Sequence, residues 1–210
     1  LDKAKDSRSE TDEVLIVEGY MDVVSVYSSG VKNVIANSGT ALTERQISLI
    51  WKFFSNPIIC LDGDESGQKA AIRIAEKLFP LINEKNKIYF SVMPEGTDPD
   101  EFIKLRGKQE FINLMKEKEI IQSFIWNYHL SKIDQNNPYE ISKFEKEIKS
   151  LSYSIQDETL KKYVLEDFLE KIKNLTPIQS SRQDYKYSFF NKKKNFQILK
   201  ETKLLHQKRK

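Results

Sequence analysis

Apolar runs alternate with helical segments through the first hundred residues, and no other feature limits the fold as much. The runs that predict strands are residues 14–17, 31–36, 57–61 and 88–93. The first and third are almost continuously apolar, which is typical of parallel strands buried on both faces. We therefore predict an α/β fold with a small doubly wound parallel sheet, whose ligands bind beyond the carboxyl ends of the strands.

Three predicted helices lie between these strands, over residues 20–28, from Thr43 onwards, and over residues 66–79. From about residue 99 the pattern is wholly helical, with starts at Asp98-Pro99, at Asn137-Pro138 and near Ser154. A small helical bundle is expected there. The residues expected to face the core at helical spacing are Ile47, Ile50, Phe54, Ala70, Ile74, Leu78, Ile121, Phe124, Ile125, Tyr128, Ile141, Phe144, Ile148, Leu151, Leu160, Val164, Phe168 and Ile172.

Composition excludes several classes of protein. Twelve Phe and nine Tyr are too many for a wholly disordered chain. A single cysteine, Cys60, rules out an intrachain disulfide, and with only two histidines it cannot form a structural zinc site. No apolar run approaches the ~18 residues of a membrane span, and the polar N-terminal segment is not a secretory signal. A cytoplasmic protein is expected, and the initial Leu1 hints at a fragment or a processed product.

The charge is unevenly distributed. Residues 176–210 hold ten Lys and Arg residues against two acidic residues, so the preceding part is net acidic although the whole chain is +3. This basic segment, with the run Lys192-Lys193-Lys194, is interpreted as a flexible linker or tail. Contact with nucleic acid is the alternative.

Five acidic residues follow predicted strands: Glu18 after the first, Asp62 and Asp64 after the third, and Asp98 and Asp100 after the fourth. In a parallel sheet all of them arrive at one edge, where they repel one another unless cations are bound. Oxygen ligands without His or Cys suit Mg²⁺. A magnesium-bearing edge of this kind is what phosphoryl transfer requires.

Structural roles compete with this interpretation. Asp98 caps a helix in any case, and Asp62-Gly63-Asp64 could be an ordinary turn. Glu18 argues more strongly for a function, because a carboxylate that ends a buried strand is costly unless it is used.

Four strings together resemble the TOPRIM domain of bacterial DNA primases. They are Val17-Glu18-Gly19-Tyr20-Met21-Asp22-Val23, Gly39-Thr40-Ala41-Leu42-Thr43, Asp62-Gly63-Asp64 with Gly67, and Gly96 with Asp98-Pro99-Asp100. The Glu and the Asp-x-Asp are common to all TOPRIM proteins, whereas the other strings are more specific to primases. The resemblance implies a TOPRIM-type, Rossmann-like sheet with flanking helices over residues 13–105 and a small helical bundle over residues 106–175. Residues 1–12 and 176–210 are then linkers.

The resemblance also implies roles for individual residues. Glu18, Asp62 and Asp64 would be catalytic, with Glu18 as a general acid or base. Asp98 and Asp100 would complete the site for Mg²⁺ or Mn²⁺, and Asp22 would lie at its border. Zinc is expected only in an N-terminal domain that this sequence lacks. Single-stranded DNA template, ribonucleoside triphosphates and a replicative helicase, reached through a missing C-terminal domain, are the expected partners.

The expected function is synthesis of short RNA primers on single-stranded DNA, in the bacterial cytoplasm at the nucleoid. Two alternatives stay open at this point. A TOPRIM nuclease would use the same carboxylates to hydrolyse nucleic acid. A truncated scaffold would bind metal or template and be inactive without a partner chain.

Overall fold

The computed structural model describes residues 12–37 and 42–175, together with Leu1 and Ala4. The strands are β1 (Glu13–Val17), β2 (Val34–Ala36), β3 (Asn56–Leu61), β4 (Tyr89–Val92) and β5 (Glu119–Ile120). The helices are α1 (Tyr20–Ser28), α2 (Glu44–Ile50), α3 (Glu65–Leu78), α4 (Pro99–Lys116), α5 (Ile121–Leu130), α6 (Pro138–Ser154) and α7 (Glu158–Leu175). A first compact unit ends at Phe168, within α7, and the description below concerns that unit.

The strands form one sheet in the order β2-β1-β3-β4-β5. The first four are parallel, and β5 pairs antiparallel with β4. The central strands β1 and β3 are almost completely buried, which agrees with their continuous apolar sequences. The predicted parallel α/β sheet is therefore confirmed.

Apolar side chains fill the space between the sheet and helices α1 and α4. Leu15 and Cys60 from the sheet pack in one cluster with Val26 of α1 and with Phe102 and Phe111 of α4. Phe102 and Phe111 belong to the same helix, but α4 is interrupted at Gly107, which has a φ of 82°. This interruption turns the second half of α4 back toward the core.

The helix starts predicted at Thr43, Asp98-Pro99 and Asn137-Pro138 are confirmed, whereas the start predicted near Ser154 is wrong, because Ser154 ends α6 and α7 begins at Glu158. Thr43 and Gln46 form a reciprocal capping box at α2, and Asn137 caps α6. Not every residue that was expected to face the core is buried. In α3, Ile74 and Leu78 are buried, whereas Ala70 is partly exposed. Phe144, Ile148, Val164 and Phe168 are buried in the later helices, while Ile141 and Leu151 are partly exposed.

The expectation of wholly helical structure after residue 99 is wrong at β5. This strand is only two residues long and pairs with the edge of the sheet through Tyr89 and Phe90. A pair of residues is too short for any alternating pattern to reveal it.

Helices α5, α6 and α7 meet around an aromatic cluster. The Trp126 ring lies 5.0 Å from Phe144 and 5.5 Å from Phe168, measured between ring centroids. Within the described part of the chain, no helix combines the length and the apolar character needed to cross a membrane.

Candidate metal centre

Three acidic loops lie at the carboxyl edge of the sheet, as the sequence predicts. Glu18 directly follows β1, Asp62 and Asp64 follow β3, and Asp98 and Asp100 lie at the start of α4, after β4. Because β1, β3 and β4 are parallel neighbours, their carboxyl ends share one edge.

Asp62 carries a buried carboxylate oxygen, Oδ1, to which no described residue donates a hydrogen bond. Burial raises the pKa of Asp62, and the negative charges of Glu18, Asp22, Asp98 and Asp64 add to this effect, so that the pKa reaches about 6. A carboxylate in this environment lacks a counter-charge, and a bound cation would stabilise its ionised form.

Asp22 joins two of the acidic loops. Its side chain is 7% exposed, and Oδ2 accepts a 3.0 Å hydrogen bond from the backbone N–H of Gly19. Burial is the main reason that the pKa of Asp22 is raised; the backbone of Gly19 and of Asp100 opposes the shift, and the charge of Asp98 adds to it. A buried side chain thus links the loop after β1 to the start of α4.

Asp64 and Asp98 cap helices. Asp64 Oδ1 accepts a 2.6 Å hydrogen bond from the backbone N–H of Gly67, and Asp98 Oδ1 accepts one of the same length from Glu101. These bonds fix the orientation of both carboxylates at the sheet edge. The capping role expected for Asp98 is therefore confirmed, and it engages one oxygen of each group.

Asp100 is placed differently from the other four acidic residues. Its Oδ2 lies 2.6 Å from the ammonium of Lys104, one helical turn further along α4. Lys104 and the hydroxyl of Ser25 lower the pKa of Asp100. The charge of Asp100 is thus already partly balanced within the protein, and the i,i+4 spacing of the two residues was visible in the sequence.

Glu18 is exposed, although it directly follows a buried strand. The argument that its position carries a desolvation cost is therefore wrong. The strand ends before the carboxylate, which projects into solvent and raises the pKa of Asp62 through its charge. Asp22 is the buried acid of the edge, and Asp62 is partly buried with its Oδ1 fully enclosed. No residue pattern distinguishes these two from neighbouring loop acids.

Two glycines allow the acidic loops to pack closely. A Cβ at Gly63 would lie 2.0 Å from the carbonyl oxygen of Pro94, and one at Gly67 would lie 2.3 Å from that of Asp62. Gly63 also donates a 3.0 Å backbone hydrogen bond to Thr97. Close approach of backbone to backbone, rather than a left-handed conformation, is therefore what requires glycine at these positions.

These carboxylates suit a site in which a divalent cation keeps several of its water ligands better than a site in which protein side chains surround the ion completely. Among the described residues, no three His, Cys, Asp or Glu side chains are close enough to hold one ion together. Mg²⁺ does not need such a cage, since it usually keeps several waters and binds through one or two carboxylates and substrate phosphates. The unpartnered oxygen of Asp62 and the surplus of negative charge around it meet that requirement.

Two sets of residues from the sequence analysis fall outside the described residues: Lys192, Lys193 and Lys194 of the basic segment, and Gly39, Thr40 and Ala41 of the second string. The first, third and fourth strings lie inside them, at residues 17–23, 62–67 and 96–100.

Comparison with known proteins agrees with this geometry. Residues 15–103 match the Toprim-like family. The DNA primase of Rickettsia prowazekii is 32% identical over 170 residues, which are 81% of this chain and 29% of that protein. The chain therefore spans about three tenths of the length of the curated relatives it matches.

Solved structures show the same likeness. The primase catalytic domain bound to single-stranded DNA is 29% identical, with a TM-score of 0.74 over 81% of this chain and 54% of that one. The Aquifex aeolicus primase, solved with its zinc-binding and RNA polymerase domains, is also 29% identical, with a TM-score of 0.68 over 84% of this chain and 41% of that one.

Proposed function

We propose a function for this chain from its family. The chain is a TOPRIM-containing segment of the bacterial DNA primases. The segment supplies the metal-binding edge of an enzyme that synthesises short RNA primers on single-stranded DNA. The single observation that supports this most is the buried Oδ1 of Asp62, which lacks a hydrogen bond from the described residues and is surrounded by other carboxylates.

The residues that would hold Mg²⁺ or Mn²⁺ are Asp62 and Asp64, with Glu18, Asp98 and Asp100 around them. A divalent cation bound there would neutralise the phosphates of a nucleotide and stabilise the leaving oxygen. Asp22 keeps two of the acidic loops together through its bond to Gly19 and its contact with Asp100.

Glu18 takes the role of general acid or base. It is exposed at the sheet edge, so its carboxylate can reach a primer hydroxyl that lies over the site. The reaction joins that 3′-oxygen to the α-phosphorus of a ribonucleoside triphosphate and releases pyrophosphate, and Glu18 accepts the hydroxyl proton.

The partners follow from the same family. The related catalytic domain solved with single-stranded DNA supports a single-stranded template for this chain. The zinc-binding domain of the Aquifex aeolicus protein supports a zinc site elsewhere in such a primase, not in this segment. Ribonucleoside triphosphates as substrates, a replicative helicase as a partner and a place in the bacterial cytoplasm at the nucleoid belong to the same proposal.

The division of the chain into domains is part of the same proposal. Residues 13–105 form the catalytic TOPRIM domain and residues 106–175 a helical subdomain. The linkers expected over residues 1–12 and 176–210 lie outside the described residues, apart from Leu1, Ala4 and Asp12. A nuclease that used the same carboxylates has no specific support, because the relatives reported above are primases.

The test replaces Glu18 by Gln in a primase that carries this segment together with the other parts of its relatives. Gln keeps nearly the same volume but cannot accept the proton. Primer synthesis on single-stranded template with Mg²⁺ should fall by at least ~10²-fold, the low end for loss of general acid–base catalysis.

The matched control is Glu95→Gln, which removes an equally exposed charge from the loop after β4 and should leave synthesis near normal. The thermal midpoint should stay unchanged in both variants. Normal synthesis by a well-folded Glu18→Gln protein would refute the proposed catalytic role.

A further inference from the structure

A cleft of about 340 Å³ lies between β1 and β3 and one face of α3. Helix α3 begins at the acidic edge, where Asp64 caps it, and runs away from that edge. Arg73 and Lys77 of α3 line the cleft. At about 1.5 Å per residue, they lie roughly 14 and 20 Å along the helix from Asp64. A ligand held by these two residues is therefore separate from the reaction proposed at the acidic edge.

The sheet forms the floor of the cleft, and this floor is apolar. Ile16 and Ile59 of the two strands line it together with Leu61, and each is no more than 5% exposed. Ala70 stands on the α3 side and is partly exposed, so its small side chain leaves the cleft open. The volume is at the lower end of the range for ligand pockets, which suits one large apolar side chain better than an extended ligand.

The two cations of the cleft are available to a ligand. Arg73 and Lys77 are one helical turn apart, about 6 Å along the axis, and both are exposed. Neither forms an ion pair or a hydrogen bond with a described residue. Their uncompensated charges favour an anionic ligand.

The acidic residues of α3 are already engaged elsewhere. Glu65 lies 2.5 Å from the ammonium of Lys69, and Glu76 contacts the ring of His129 at 2.9 Å. The helix itself therefore offers the two cations no carboxylate, and an anion has to come from another molecule.

A carboxylate is an anion that both cations recognise, because Arg pairs with it through two parallel hydrogen bonds and Lys pairs with it as a point charge. The C-terminal residue of a protein carries a carboxylate and a side chain on the same carbon atom. One such residue can fill the apolar slot and reach a neighbouring cation, and an acidic residue shortly before it supplies a second carboxylate. Charge complementarity thus favours an acidic C-terminal segment that ends in a large apolar residue.

We propose that the cleft docks such a segment of a partner protein. The last side chain enters the slot between the strands and α3, the α-carboxylate pairs with Arg73, and a preceding acidic side chain pairs with Lys77. This goes beyond the proposed function, because the cleft recruits a protein and takes no part in nucleotide transfer.

The experiment measures the fluorescence anisotropy of a synthetic peptide that carries fluorescein at its N-terminus and consists of a run of Asp residues, a Ser and a C-terminal Phe. The full chain is titrated in EDTA, so that no metal bridges the peptide to the acidic edge. Arg73→Gln with Lys77→Gln removes both charges, and Ala70→Leu fills the slot without loss of helix propensity. Each change should weaken binding at least about tenfold, the equivalent of roughly 1.4 kcal/mol.

The matched control, Lys69→Gln with Lys146→Gln, removes the same number of charges from exposed positions outside the cleft and should bind as the unmodified protein does. The thermal midpoint shows whether each variant is folded. If Ala70→Leu unfolds the protein, the charge variant decides. Unchanged affinity in the folded cleft variants would overturn the site.

Changes in the peptide identify the ligand chemistry. A C-terminal amide removes the α-carboxylate, and Gly in place of Phe removes the apolar side chain, so each should weaken binding at least about tenfold. Equal binding of all three peptides would show that only overall charge is recognised and would refute the proposal. Stronger displacement by AMP or by decanoate than by the unlabelled peptide would assign the cleft to a nucleotide or a lipid, which also contradicts it. With benzoylphenylalanine as the last residue, photocrosslinking should label α3 or the facing strands if the proposal is correct.

Discussion

The backbone N–H of Gly63 donates a 3.0 Å hydrogen bond to the carbonyl oxygen of Thr97, which ties the loop after β3 to the loop after β4. Asp62 and Asp64 flank the donor, and Asp98 follows the acceptor. The spacing between these acidic residues is thus fixed by main-chain atoms and does not depend on the carboxylates themselves. This relationship allows the acidic edge to persist despite its mutual repulsion.

The first prediction concerns that contact. Gly63→Ala should lower the free energy of unfolding by about 1–3 kcal/mol, the usual range for overpacking, because the new methyl group would meet two backbone carbonyls within 2.5 Å. Urea denaturation measures the change. Ser66→Ala, in the exposed first turn of α3, is the control and should have little effect. A Gly63→Ala protein as stable as the unmodified one would show that the two loops can separate freely.

The second prediction is a pH dependence in metal-free protein. The pKa of Asp62 is raised from 3.8 to about 6 by burial and by its acidic neighbours, so the folded state holds the proton more tightly than the unfolded state. Stability should therefore be highest below about pH 4 with respect to this group and should fall as the pH rises toward 6. Asp62→Asn should remove this contribution and gain on the order of 1 kcal/mol at pH 7.

Thermal denaturation in EDTA across the pH range tests this. Glu84→Gln removes an exposed charge far from the acidic edge in sequence and should keep the pH profile of the unmodified protein. If Asp62→Asn also keeps that profile between pH 4 and 6, the raised pKa is refuted.

The third prediction concerns metal. Mg²⁺ or Mn²⁺ should raise the thermal midpoint, because a ligand that binds only the folded state stabilises it by mass action. The pair Asp62→Asn and Asp64→Asn should melt higher than the unmodified protein without metal and should lose most of the metal-induced rise. Asn retains the capping ability that Asp64 needs at α3.

The matched control removes two charges elsewhere, with Glu84→Gln and Glu110→Gln, which are both exposed. It should keep the full metal-induced rise. Equal rises in all three proteins would mean that the ion binds somewhere other than the acidic edge.

The fourth prediction concerns the aromatic cluster of the later helices. Phe144 is 1% exposed and lies edge-on to the Trp126 ring at 5.0 Å. Phe144→Ala should cost about 3–5 kcal/mol of stability and should shift the fluorescence of Trp126 toward that of an exposed indole. Tyr139→Ala, on the same helix but 87% exposed, should change neither quantity by much. A small cost at Phe144 would show that the cluster repacks around the missing ring.

The parallel sheet and its acidic edge could be predicted because each depends on local sequence. Buried parallel strands are apolar at every position, as in Val14–Val17, and the residue after each strand must lie at the same edge. The starts of α2 and α6 could also be predicted, because Thr43 with Gln46 and Asn137 with Pro138 are local signals.

What sequence reasoning missed depends on contacts between distant segments. The burial of Asp22 follows from the packing of α1 against α4, and nothing in residues 20–28 distinguishes Asp22 from an exposed acid. The same holds for β5, whose two residues pair with β4 only because α4 returns the chain to the sheet edge. The roles assigned to individual carboxylates remain predictions.

The interruption at Gly107 has a consequence for how the start of α4 is supported. In an unbroken helix, residues nine apart lie about 13.5 Å apart along the axis and on opposite faces, so Phe102 and Phe111 could not touch. Their ring centroids are 6.4 Å apart, because the left-handed backbone at Gly107 redirects the chain. The contact closes a loop of few residues, so it costs little chain entropy and can form before distant strands pair. The helix turn that carries Asp98 and Asp100 is thus held against the core partly by a contact within its own segment, in addition to the contacts with the sheet.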